Sequence, residues 1–168
     1  LKANTTGGSN TALGFRSLYT NDNGAYNVAS GNHTLFSNIS GSNNVANGRE
    51  ALFSNTTGGS NIATGYKALY SNDNGDYNVA IGNQALYSNL AANNNIATGY
   101  QALYSNTTGF SNVATGRQAL YSNIEGVYNI AIGQEALFSN TTFDHNIAIG
   151  HRALRSANAG FNIAIGRD

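Results

Sequence analysis

The stretch NIATGYKALYS, residues 61–71, is followed by NVAIGNQALYS, residues 78–88, and much later by NIAIGHRALRS, residues 146–156. The three are near copies, so their spacing is the first quantity to extract. Asn followed by Ile, Val or Thr and then Ala recurs at Asn10, Asn27, Asn44, Asn61, Asn78, Asn95, Asn112, Asn129 and Asn146, always 17 residues apart, and Asn162 arrives one residue early. A glycine keeps the same beat at Gly14, Gly31, Gly48, Gly65, Gly82, Gly99, Gly116, Gly133, Gly150 and Gly166. So does a leucine, at Leu18, Leu35, Leu52, Leu69, Leu86, Leu103, Leu120, Leu137 and Leu154, with Leu1 in the same frame. The consensus is N-[IV]-A-[IT]-G-x-x-A-L-[YF]-S-N-T-T-G-x-[SYN]. Residues 1–168 therefore read as a single repeat domain of about ten 17-residue coils, expected to be a fragment of a longer fibre because the chain starts and stops in mid-repeat.

A weaker beat of 51 residues lies on top, carried by Tyr26, Tyr77 and Tyr128. Duplication of a three-repeat block accounts for it, and so does a triangular solenoid with three repeats per coil. One repeat per coil is the simpler arrangement, because one repeat already holds two short apolar segments and two turns.

Those segments are strand words. NVAIG and ALYSN are short, rich in β-branched and aromatic residues, and bounded by Gly and Asn. Amphipathic helices would need apolar spacing near 3.6 over longer runs. The expected fold is all-β: a parallel β-solenoid, or β-roll, with two short strands per coil, N-I-A-I and A-L-Y-S. A tight corner falls at G-x-x and a wider one at N-T-T-G-x-S. Coils stacked about 4.8 Å apart would make a rod on the order of 50 Å long.

Strand alternation assigns the columns. The unvarying Ala12 and Leu18 columns are expected to form a thin interior. The Val28/Ile62 column, Ala51 and the Tyr19/Phe36/Tyr70 column are expected to face outward. Gly14 and its equivalents occupy a corner that tolerates no Cβ or needs positive φ. A second glycine (Gly24, Gly41, Gly58, Gly75, Gly109, Gly126) is expected to turn the wide corner, where Ala92 and Phe143 replace it in two coils. Stacked asparagines, the Asn10 column and the Asn38 column, are expected to bond to one another and to corner backbone. Outward ladders of Val, Ile, Tyr and Phe are more apolar surface than a lone soluble protein leaves bare, and wrapping several chains around a shared axis would cover one of them.

The motif N-[IV]-A-[IT]-G-x-x-A resembles the head repeat of YadA-like trimeric autotransporter adhesins, most closely at NVAIGNQA (78–85) and NIAIGQEA (129–136). It is also similar to repeats of phage tail-fibre-like bacterial surface proteins. The resemblance spans essentially the whole chain and implies a left-handed parallel β-roll, assembled as a homotrimer on a bacterial cell surface or a virion. The repeat here is longer, with an added Thr-Thr-Gly corner and an aromatic residue after Leu.

Composition excludes several classes. Formal net charge is zero and charged residues are 10%, so no basic field favours nucleic acid or anionic lipid. There is no cysteine, hence no disulfide or thiolate chemistry. No apolar run reaches the length of a membrane span, so no membrane contact is expected in this segment. A catalytic site gathers unlike groups, whereas this sequence spreads like groups along lines. His33, His145 and His151 fall in different columns. Asp22, Asp73 and Asp76 sit in N-D-N-G corners, where they read as turn formers rather than as a calcium loop. No catalytic residue, cofactor or metal site is expected.

The function expected is a non-catalytic structural or adhesive segment of an extracellular fibre, an adhesin head or tail-fibre shaft, with itself as first partner and a host-surface protein or glycan as a second. One alternative is a glycan-binding solenoid using the ladder Tyr19, Phe36, Phe53, Tyr70, Tyr87, Tyr104, Tyr121 and Phe138; packing, between chains or within the coil, is the favoured reading of the same ladder, and Arg155 ends it. The other is an ice-binding solenoid using corner threonines such as Thr56, Thr57, Thr107, Thr108, Thr141 and Thr142, although Asp22, Ile39, Leu90 and Ile124 interrupt that row.

Overall fold

The computed structural model describes residues 2–168; Leu1, expected in the leucine frame, lies outside the described residues. The described chain contains no helix. Ten strands of three residues each form one parallel sheet: β1 (Thr11–Leu13), β2 (Val28–Ser30), β3 (Val45–Asn47), β4 (Ile62–Thr64), β5 (Val79–Ile81), β6 (Ile96–Thr98), β7 (Val113–Thr115), β8 (Ile130–Ile132), β9 (Ile147–Ile149) and β10 (Ile163–Ile165). Each pairs with the next in sequence order, Ala12 with Ala29, Ala29 with Ala46, and so on to Ala148 with Ala164. One repeat therefore makes one coil, and the 51-residue beat is not a coil of its own.

The expectation of two strands per coil needs correction. Only N-[IV]-A-[IT] is extended. In A-L-Y-S the leucine is left-handed, from φ 47° at Leu154 to 54° at Leu103. The residue two before it is left-handed as well, as at Arg16, His33 and Glu50 (φ 52°, 53° and 58°). Left-handed residues curl this wall tightly, yet the stacking bonds survive. The Leu35 N–H donates to the Ala51 carbonyl at 3.0 Å, and that of Ser37 to the Phe53 carbonyl at 3.0 Å. A non-glycine residue in this region costs on the order of 1–2 kcal/mol. Here the position buys an inward side chain: Leu18 through Leu137 are fully buried.

Loss of strand geometry also reverses one side-chain assignment. Ala51 and its equivalents Ala68, Ala85, Ala102, Ala119 and Ala136 do not face out; they are fully buried beside the leucines. In the true strands alternation holds, with Ala29 buried between exposed Val28 and half-buried Ser30. The interior is thus one leucine and two alanines per coil, with buried Ser17 and Thr34 in place of the second alanine in the first two coils, closed at the ends by buried asparagines.

Those asparagines form two ladders. In the Asn10 column each backbone N–H donates to the Oδ1 of the previous coil, as Asn61 does to Asn44 at 3.0 Å, while Nδ2 reaches a corner carbonyl of the next coil, as Asn61 does to Gly75 at 2.8 Å. In the Asn21/Asn38 column the side chains bond to each other. Asn72 Nδ2 donates to Asn55 Oδ1 at 2.7 Å and to Gly75 O at 2.9 Å.

The two glycine columns do different work. At Gly65 φ is +133°, and a Cβ would lie 2.5 Å from the Gly82 carbonyl oxygen. The wide-corner glycines are not in the left-handed region. They permit close approach instead, and three consecutive N–H groups (Asp22, Asn23, Gly24) converge on the Ile39 carbonyl at 3.0–3.3 Å. Where Ala92 replaces glycine, Leu90 alone of its trio reaches the next coil, at 3.3 Å to Thr107 O.

The last coil is a residue short, pairing Ile147 with Ile163. Asn146 Nδ2 then loses the corner carbonyl that its equivalents bond, and Asn140 Oδ1 faces a ladder position held by Ala157. Both atoms are buried without a partner.

Candidate functional surfaces

With an interior this thin, function falls to the outer columns. The strand face carries two. The first is β-branched throughout, from Thr11 and Val28 to Ile163; Val28, Ile62 and Ile96 are about two-fifths exposed (43%, 41% and 41%), whereas Val79, Val113, Ile130 and Ile147 are half-buried. The second is mixed, with Ser30, Asn47 and Thr64 giving way to Ile132, Ile149 and Ile165. An apolar stripe therefore runs the length of the sheet, as the outward Val/Ile column implied, and it widens over β8, β9 and β10.

The expected aromatic ladder exists but is half-buried. Tyr19, Phe36, Phe53, Tyr70, Tyr87, Tyr104, Tyr121 and Phe138 stack ring on ring, with centroids 5.1–5.3 Å apart and planes within 3–9°. Interior rings thus have both faces covered by neighbours in the same chain. Each contact is worth about 0.5–1.5 kcal/mol beyond burial. Cations close the column at both ends. Lys2 Nζ lies 5.4 Å from the Tyr19 centroid, and the Arg155 guanidinium 4.9 Å from that of Phe138. Lys2 and Arg155 occupy the aromatic register themselves, a cue readable in the sequence at Lys2 as well as at Arg155.

Arg155 belongs to the main charged cluster. Its Nε lies 2.9 Å from Glu135 Oε2, and Arg152 Nε is 3.1 Å from the same oxygen. The hydrogen bond from Arg155, then one from Gln134 and the charge of Arg152, hold the Glu135 carboxyl down to about 2 despite burial that opposes the charge. In the same column Glu50 pairs with Lys67 at 3.5 Å, and Gln84, Gln101 and Gln118 bond in series at 2.9 and 3.1 Å. Burial works against the Lys67 charge, but Tyr66 and Glu50 leave its pKa raised. Sequence spacing did not draw attention to this column, because its residue type changes from coil to coil.

The more exposed aromatic side chains lie elsewhere. Tyr26, Tyr77 and Tyr128, the 51-residue beat, project from the rim and are 64%, 63% and 49% exposed. Near the last coils Tyr128 joins Phe110, His145 and Phe161, with neighbouring centroids 4.9–5.3 Å apart.

The corner threonines do not present a regular hydroxyl array. Thr56 bonds the Asp73 carboxylate, and Thr107 Oγ1 donates to Ile124 O at 3.1 Å. Ile39, Leu90 and Ile124 stand exposed in the same row. The histidines stay apart: His33 lies against Phe15 and Phe36, His145 between Tyr128 and Phe161, and His151 has a buried Nδ1 without a partner. Among the described residues no group of three or more His, Cys, Asp or Glu is placed to hold a metal ion, and no pocket opens. Asp22, Asp73 and Asp76 serve corner hydrogen bonds, as with Asp76 Oδ1 accepting from the Gly59 N–H at 2.7 Å.

Comparison with protein-family models, with curated proteins and with solved structures found no match.

Proposed function

We propose that this β-solenoid is a non-catalytic structural and adhesive segment of an extracellular fibre, an adhesin head or tail-fibre shaft, working as a homotrimer on a bacterial cell or virion surface. The observation that carries the reading is the exposed β-branched column beside an unbroken sheet of ten strands. Stiffness along one axis suits a spacer, and a continuous apolar stripe along that axis suits side-by-side association of identical chains. Among the described residues the charged clusters lie on an outer column and no pocket gathers them, which suits a role in holding and contact.

Native mass spectrometry and light scattering at several concentrations test it. The expected mass is three times the 17.6 kDa chain. The double variant Ile62→Glu, Ile96→Glu should keep its circular dichroism and become monomeric. A wild-type chain that remains monomeric at every concentration overturns the trimer.

A glycan partner is the second reading, and the exposed Tyr26, Tyr77 and Tyr128 favour it. Sugar rings stack on free aromatic faces, which the stacked ladder lacks. A glycan array with wild type and the triple Tyr→Ala variant decides it: binding lost in the variant supports this row as the contact, and equal binding removes it.

A further inference from the structure

We propose that N-linked glycosylation and this fold exclude one another at four asparagines, so that the chain reaches its native state only where N-glycosylation does not act on it before folding. The inference stands apart from the adhesive reading and from the oligomeric state. The acceptor pattern Asn-x-Ser/Thr occurs at Asn4, Asn32, Asn38, Asn55, Asn106 and Asn140. In an ordinary protein such acceptors lie in surface loops. Here Asn38, Asn55, Asn106 and Asn140 are fully buried rungs of the side-chain ladder.

Their Nδ2 hydrogens are both committed. Asn38 donates to Asn21 Oδ1 at 2.6 Å and to Gly41 O at 2.9 Å. Asn55 donates to Asn38 Oδ1 at 2.8 Å and Gly58 O at 2.9 Å. Asn106 and Asn140 repeat the pattern on Asn89 and Gly109, and on Asn123 and Phe143. N-linked transfer breaks the bond between an anomeric carbon and a lipid pyrophosphate, forms one from that carbon to Nδ2, and releases one Nδ2 proton. The product has one hydrogen where the ladder uses two, and a sugar where there is no space. A glycan at any of the four severs a rung and parts the wide corner from the next coil. Asn32 is different: it is exposed, and its side chain is hydrogen-bonded only to His33. Asn4 is exposed too, with a single donated bond from Nδ2, to Gly7 O at 2.8 Å. The fold can carry glycans at these two positions and not at the other four.

The hydroxyl residues that complete the four buried acceptors make no side-chain hydrogen bond of their own. Ser40→Ala, Thr57→Ala, Thr108→Ala and Thr142→Ala together therefore remove the acceptors while keeping every rung. The test expresses the whole chain behind a secretory leader in a eukaryotic cell. Glycan occupancy is mapped by mass spectrometry, and folding is read by protease resistance and circular dichroism against cytoplasmic protein from bacteria. Wild type is expected to carry glycans at buried rungs and to lose at least tenfold in protease resistance. The quadruple variant, and wild type made with lipid-linked oligosaccharide synthesis blocked, should both match the bacterial protein. A protease-resistant wild type with glycans at Asn55 or Asn106 overturns the proposal. Wild type folded and unmodified at all four from untreated cells is the same exclusion with folding first, and supports it; an inhibitor that fails to restore folding to a chain glycosylated at the buried rungs overturns it.

Discussion

Replacing Asn72 by Ala tests whether the ladder holds the rod together or merely decorates it. Asn72 is fully buried and makes three side-chain bonds: Nδ2 to Asn55 Oδ1 at 2.7 Å, Nδ2 to Gly75 O at 2.9 Å, and Oδ1 from Asn89 Nδ2 at 2.7 Å. Gly75 O keeps a second donor in Asn61, and Asn89 keeps its bond to Ala92 O, but Asn55 Oδ1 and one Asn89 hydrogen are left buried and unpaired. Each orphan costs about 1–3 kcal/mol, so the variant should lose about 4 kcal/mol with little space to collapse into. The control is Asn4→Ala at the exposed end of the same column, expected to lose under about 1 kcal/mol. Asn72→Asp sharpens the case. Its carboxylate has no hydrogen to offer Asn55 Oδ1 or Gly75 O, so its folded pKa must rise above the unfolded value near 4. The folded state then binds more protons than the unfolded one between those two pKa values. The damage is least below about pH 4 and grows as pH rises toward the folded pKa. Urea denaturation followed by circular dichroism at several pH values measures both. A loss below about 1 kcal/mol for Asn72→Ala would refute the ladder as a source of stability.

Other perturbations separate the remaining columns. Gly65→Ala forces a Cβ to 2.5 Å from the Gly82 carbonyl at φ +133°, and is expected to cost at least about 3 kcal/mol or prevent folding; a Cβ at Gly58 meets the Gly75 carbonyl at the same 2.5 Å, but φ there is not positive and Ala92 already occupies that column, so Gly58→Ala should cost only about 1–2 kcal/mol; thermal melts compare them. Leu86→Ala removes the single large side chain of its coil and should cost about 3 kcal/mol by urea denaturation, because flanking alanines cannot fill the space. Glu135, held to about 2 chiefly by Arg155, contributes stability that is complete above the unfolded carboxylate pKa and is lost as pH falls toward 2. Glu135→Gln should therefore differ from wild type at pH 6 and converge on it near pH 2.

The period made the solenoid, the coil size and the parallel register legible before any coordinates, because a column that never varies over so many copies must meet itself. The Ala12 and Leu18 columns were legible for the same reason. What misled was the local rule. Period-two alternation assumes extended backbone, and it placed Ala51 outside because A-L-Y-S reads as a strand. Residues at Leu35 and Glu50 adopt the left-handed region that only tertiary closure can impose, and neither Leu nor Glu advertises it. Glycine marked the wide corner, but not what the corner requires of it, which is closeness, as the weakened bonding around Ala92 shows.

A fold made of identical rungs leaves little energy to distinguish one coil from another, since Asn, Leu and Gly fit any level equally. Specific position along the rod must then come from columns that do vary. Lys2 and Arg155 fix where the aromatic stack stops, and Glu50 with Lys67 and Glu135 with Arg152 pair only at adjacent levels. Looping out one coil would preserve most ladder contacts while setting Glu50 over Gln84 or Gln118 over Arg152. The invariant columns thus supply cohesion, and the varied ones supply order along the axis.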